Sequence, residues 1–170
     1  MSAHFDLAIA LDLKPDTPQQ VLDTLRYLMR TEDYDFDNPP DHEFFTRWDD
    51  QHWRNWMPLA ENSTYSPGEA GSSLRRVYRY TQHGQDVYRY TFSFRCWMLD
   101  DGFYEWWPFA KWLALHSHTS GYVGYYREEF DLHPTLIYFR EANVYTLRVT
   151  GDPIPIRGGK PWQELGPIEY

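Results

Sequence analysis

The chain has 170 residues, a single cysteine and a formal net charge of −9. That length suits one domain with its own core, a lone cysteine excludes an intrachain disulfide, and the acidic balance argues against phosphate-driven nucleic-acid binding, which needs a basic surface. With 8 Trp, 14 Tyr and 10 Phe, much of the core must be built from rings, and the polar tips of Tyr and Trp favour core margins and binding surfaces.

From Phe5 to Leu13 the apolar residues alternate, with Phe5, Leu7, Ile9, Leu11 and Leu13 on one parity, which predicts a first strand. Thr17, Pro18 and Gln20 then form a helix start, with Thr17 as N-cap, Pro18 at the first helical position and Gln20 completing a capping box. The helix that follows should bury Val21, Leu22, Leu25, Leu28 and Met29 and end near Arg30. Residues 31–40 are acidic and turn-rich. A second helix is expected from Asp41 to Met57, with Phe45, Trp48, His52 and Trp56 on one face. Residues 58–73 carry turn formers without periodicity and read as a loop.

The clearest pattern runs from Val87 to Met98. Tyr88, Tyr90, Phe92, Phe94, Cys96 and Met98 share one parity, while Arg89, Thr91, Ser93 and Arg95 share the other. This is a strand with one apolar and one polar face, as antiparallel or mixed sheets use. It should pair with Leu74 to Thr81 as a hairpin turning at His83 and Gly84. A three-residue loop through Gln85 would set Tyr80 opposite Tyr88, Tyr78 opposite Tyr90, Leu74 opposite Phe94 and Arg79 opposite Arg89. It matches apolar to apolar, so it is preferred over a two-residue loop, which would set Tyr88 opposite Arg79. A third helix is predicted between Gly102 and about Ser117, its regular part starting near Trp106 because Pro108 is awkward in a helix interior. A strand from Gly121 to Arg127 and a hairpin of Thr135 to Phe139 with Val144 to Val149 follow.

The order of elements predicts an α+β fold of the ferredoxin-like (split β-α-β) kind. In this plan an antiparallel sheet carries its helices on one face, with a helical insertion (31–73) after the first helix and an extra C-terminal β-hairpin. Residues 1–150 would form this one domain, and 151–170, rich in Gly and Pro, an extended tail.

Chemistry-bearing residues are sparse. Arg75, Arg79, Arg89 and Arg95 fall on the polar parity of the hairpin, where guanidinium forks suit carboxylate or phosphate. They are the candidate ligand-binding residues, against the plainer alternative of an exposed face paired with Asp and Glu. His116 and His118 stand at a helix end with nothing to complete a metal site. Asp49 and His52 could touch as an acid–base pair on a helix. Glu32 to Asp37 lacks the glycine and final glutamate of a calcium loop. Glu128 and His133 flank an inter-strand link, and Cys96 lies on the apolar parity as a small hydrophobe.

No catalytic residue, metal or cofactor is therefore assigned. The function expected is a non-catalytic protein-binding role, of an inhibitor, immunity-like or adaptor kind, with a protein partner or a homodimer. The alternative is a small-molecule binder or enzyme that uses the arginine and aromatic surface for an anionic ligand. Neither nucleic acid nor a membrane is an expected partner. No run of 18 residues is apolar and uncharged, and Met1 to Asp6 lacks the basic and apolar regions of a leader, so the expected location is cytoplasmic.

Overall fold

Alternation in the strands and 3.6-residue spacing in the helices build an α+β fold. The computed structural model describes residues 3–31, 38–47, 52–60 and 71–150. Its elements are β1 (His4–Asp12), α1 (Gln19–Met29), α2 (Glu43–Thr46), β2 (Gly71–Gln82), β3 (Gln85–Leu99), α3 (Asp100–His116), β4 (Gly121–Glu128), β5 (Thr135–Arg140) and β6 (Asn143–Arg148). All six strands belong to one sheet in the order β2-β3-β1-β4-β5-β6, and every neighbouring pair is antiparallel.

This corrects the ferredoxin-like expectation. A four-stranded split β-α-β sheet with an appended hairpin would leave β4 as an edge. Instead β5 pairs along β4, with Tyr126 opposite Thr135 and Gly121 opposite Phe139, and β6 continues from β5. The reason lies in the side chains. Ile137 and Phe139 of β5 are fully buried and extend the core past β4, so the last hairpin is an integral part of a larger sheet.

One sheet face carries Leu7, Ile9 and Leu11 of β1, Phe92, Phe94, Cys96 and Met98 of β3, and Ile137 and Phe139 of β5. These join Val21, Leu22, Leu25, Leu28 and Met29 of α1 and the buried rings of α3 in a single core cluster. Strand parity and helical spacing thus meet in one layer. Cys96 lies wholly inside it, and burial pushes its thiol far above the ordinary range.

Helix starts depart from the sequence pattern. Thr17 does not cap α1; its hydroxyl donates to the Lys14 carbonyl (2.7 Å), and Pro18 is the residue that precedes the helix. α3 begins at Asp100 and holds Pro108 in its interior. An interior proline costs about 3 kcal/mol, which the burial of Phe103, Trp106, Phe109, Trp112 and Leu113 on this helix offsets.

The helix expected from Asp41 to Met57 is also corrected. Its described part is the single turn α2 and a 3₁₀ turn at Trp53–Asn55, after which Trp56 is extended. Phe44, Phe45, Trp53 and Trp56 are all buried. Two of them meet α3 edge-to-face: Phe45 lies 5.3 Å from Trp112, and Phe44 lies 5.3 Å from Phe109.

The β2–β3 turn has two residues, His83 and Gly84, both with positive φ (50° and 76°), and Gln82 faces Gln85 across it. The three-residue loop is therefore wrong, although parity survives. A bulge at Arg79 shifts the register between Tyr80–Val87 and Tyr78–Tyr88, leaving Leu74 opposite Phe92 and Val77 opposite Arg89. Leu74 still meets Phe92, Tyr78 meets Tyr88 and Tyr80 meets Val87, while Arg76 faces Tyr90; one unpaired residue takes the place of the longer loop. Tyr78, Tyr80 and Tyr88 remain exposed, since the hairpin tip reaches beyond the helical layer.

Among the described residues, no helix is long and apolar enough to cross a membrane. The segments at 32–37, 48–51, 61–70 and 151–170 lie outside the described residues, as therefore do the acidic run, Asp49, most of the expected loop and the expected tail.

Candidate binding face

The second face of the sheet is set by the opposite parity. In β1 it presents Asp6, Ala8, Ala10 and Asp12, with Thr91 opposite Asp12, Arg95 opposite Ala8, and Tyr125 of β4 on the other side of Ala8. The two aspartates organise one half of this face. Arg95 donates from Nε to Asp6 Oδ1 (3.0 Å) and from Nη2 to Asp6 Oδ2 (3.1 Å), a two-point pair. The Tyr125 hydroxyl donates to the same Oδ2 at 3.1 Å, and Asp6 is only 4% exposed. Burial, and then the Asp6 charge and its hydrogen bond, raise the Tyr125 phenol above its ordinary value.

At the other end of β1, Arg79 donates to Asp12 Oδ1 and to Thr91 Oγ1 (2.7 Å), and the Thr91 hydroxyl donates onward to Asp12 Oδ1 (2.8 Å). The bulge makes this closed triangle reachable, because it releases Arg79 from the ladder.

Of the four candidate arginines, the fold thus brings Arg79 and Arg95 to fixed carboxylates. Arg75 lies opposite Thr91 and is exposed. Arg89 faces Val77 rather than Arg79, so the like-charge pair expected from the longer loop does not form. Among the described residues, its buried Nε has no hydrogen-bond partner.

The other half of the face is apolar. Tyr122, Tyr138 and Tyr145 stand side by side across β4, β5 and β6, and Leu136 stands opposite Leu147. Tyr122 and Tyr138 meet edge-to-face at 5.9 Å. Tyr122, Tyr145 and Leu147 are 53%, 51% and 55% exposed. This patch follows from β5 and β6 joining the sheet, and sequence reasoning about separate elements missed it. The alternation of Leu136, Tyr138, Tyr145 and Leu147 with other residues was the available signal.

The remaining candidates separate. His52 Nε2 lies 2.8 Å from Glu105 Oε1 on α3; its sequence partner Asp49 is outside the described residues. His116 packs its ring against Trp112 at 5.5 Å, and burial, followed by the charges of Lys14 and His42, holds its imidazole below the ordinary range. His118 lies past the helix end, where its backbone N–H donates to the Asp12 carbonyl. Glu128 ends β4 opposite Phe5, and His133 lies in the link that follows. Among the described residues, no group of three His, Cys, Asp or Glu side chains is placed to hold a metal ion. Comparison with protein families, curated proteins and solved structures finds no match.

Proposed function

We propose that the chain is a non-catalytic binding protein, of an inhibitor or adaptor kind, that docks a protein partner on the open face of its sheet. The carrying observation is the Tyr122–Tyr138–Tyr145 row with Leu136 and Leu147 beside it. A contiguous exposed patch of tyrosine and leucine favours docking over solvent, and tyrosine presents a large rigid area at low entropic cost. The adjoining Asp6–Arg95 and Asp12–Arg79 pairs supply a polar rim whose charges already have partners. With Arg79 and Arg95 so held, the anionic-ligand reading of this face keeps one supporting observation, the buried Nε of Arg89 that has no partner among the described residues, and ranks second.

A photo-crosslinking residue at Tyr145, compared with one at the exposed Tyr104 of α3, tests the proposal in the source cells. A defined protein should be captured from position 145 alone, and Leu147→Asp should abolish the capture. Equal capture from both positions, or capture indifferent to Leu147→Asp, would overturn the reading. Capture of a second copy would make the partner this chain itself.

A further inference from the structure

Outside the open face, a pocket of about 240 Å³ opens where the chain leaving β1, the C-terminus of α3 and the β5–β6 turn converge. Lys14, His118 and Arg140 line it against one carboxylate, Glu141. In a chain of net charge −9 with histidine counted neutral, Lys14 and Arg140 against Glu141 leave one positive charge among the described lining residues, a local reversal of sign. Part of its floor is apolar, made by Phe139 and Ala114, both almost fully buried. We propose that this pocket binds a small organic oxyanion, a carboxylate or phosphate ester whose apolar body lies against Ala142 and the Lys14 stem.

The chemistry of each basic group supports this class of ligand. Lys14 Nζ donates to the Leu115 carbonyl at 2.7 Å, which leaves two N–H groups for a ligand. That bond also meets the negative end of the α3 dipole, which would otherwise oppose an anion here. Among the described residues Arg140 is paired with Glu141, at 3.5 Å, and both side chains are more than 70% exposed. Such a pair is weak, so a ligand oxyanion can replace the carboxylate on the guanidinium fork.

The wall is preformed. His118 N donates to the Asp12 carbonyl (2.8 Å), and Lys14 N donates to the His116 carbonyl (2.9 Å). Asp12 N donates to Thr119 Oγ1 (2.9 Å), and Ser117 Oγ donates to the Thr119 carbonyl (2.9 Å). The backbone that carries Lys14 and His118 is thus fixed before a ligand arrives, which lowers the ordering that binding requires. The volume is below the roughly 300–1,000 Å³ of drug-sized sites, which sets the ligand at metabolite size.

Calorimetric titration of the full chain with phenyl phosphate, inorganic phosphate and benzyl alcohol tests the proposal. Phenyl phosphate should bind saturably and more tightly than inorganic phosphate, and benzyl alcohol should not bind. Lys14→Gln and Arg140→Gln should each weaken phenyl phosphate by about tenfold or more, while Glu141→Gln should tighten it by about threefold. Far-UV circular dichroism checks that each variant folds, and the exposed Arg140 gives a variant independent of the α3 terminus. Leu147→Asp should leave this binding unchanged, so it fails or survives separately from partner docking. The proposal is overturned if neither anion binds by about 10 mM, a level weaker than most specific sites. It is equally overturned if binding persists in both Lys14→Gln and Arg140→Gln, or is lost in Arg89→Gln instead.

Discussion

Asp6 and Arg95 form a two-point ion pair on the open face of the sheet, with the carboxylate 4% exposed and the guanidinium 44% exposed. Removing the arginine would leave the buried carboxylate, among the described residues, with the Tyr125 hydroxyl to meet it. Removing the acid would leave the less buried partner, whose side chain is already 44% exposed. Arg95→Met should therefore cost about 2–4 kcal/mol, and Asp6→Asn less. Urea unfolding of both single variants and the double variant measures the coupling, expected at about 1–3 kcal/mol. Equal single costs with no coupling would show that the pair does not hold the face together.

Gly124 of β4 pairs with Ile9 of β1. A Cβ there would lie 2.0 Å from the Ala8 carbonyl oxygen and 2.9 Å from its carbon, both backbone atoms. Gly124→Ala must push two central strands apart, and it should destabilise by at least about 2 kcal/mol. Gly102 is the contrast, because a Cβ there meets only the Met98 Cβ at 4.0 Å. Within α3, Gly102→Ala should stabilise by about 0.5–1 kcal/mol. Thermal melts of the two variants should move in opposite directions.

Acid should weaken the fold partly through His116. Its imidazole is held below the ordinary histidine range of about 6.5 by burial, then by Lys14 and His42. The native state therefore stays neutral where the unfolded chain takes up a proton. The stability it contributes is present above that ordinary value and is lost as pH falls below it. His42 is lowered too, chiefly by burial, and acts with the same sign. His116→Gln should flatten the dependence of melting temperature on pH between 7.5 and 5.5, values spanning the ordinary histidine range by about one unit each way. An unchanged slope would remove His116 from the account.

Much of the layer structure was legible in the residues. Phe92 to Met98, Leu7 to Leu11 and Val21 to Met29 are periodic, and each buries the face its period assigns. The turn at His83 and Gly84 was also readable, because Gly84 has a positive φ that glycine adopts freely. The bulge at Arg79 was not readable. A bulge and a longer loop satisfy the same alternation, and only the complete ladder distinguishes them.

The candidate face was less legible still. Each half of it depends on residues distant in the chain. Arg95 and Asp6 are 89 positions apart, and Arg79 and Asp12 are 67 apart. The expected arginine cluster was drawn from a single hairpin, so it lacked the aspartates that β1 inserts beside it. Likewise, the tyrosine row appeared only once β5 was paired to β4.

The sequence by itself determined which side of each element faces the core, because side-chain direction along a strand or helix is a local, periodic property. Tertiary structure alone decided that the last hairpin extends the sheet, that two arginines are held by aspartates, and that Lys14, His118 and Arg140 line one pocket. Those outcomes depend on strand order and register, where several pairings satisfy the local pattern and their difference in free energy comes from contacts between residues far apart in the chain.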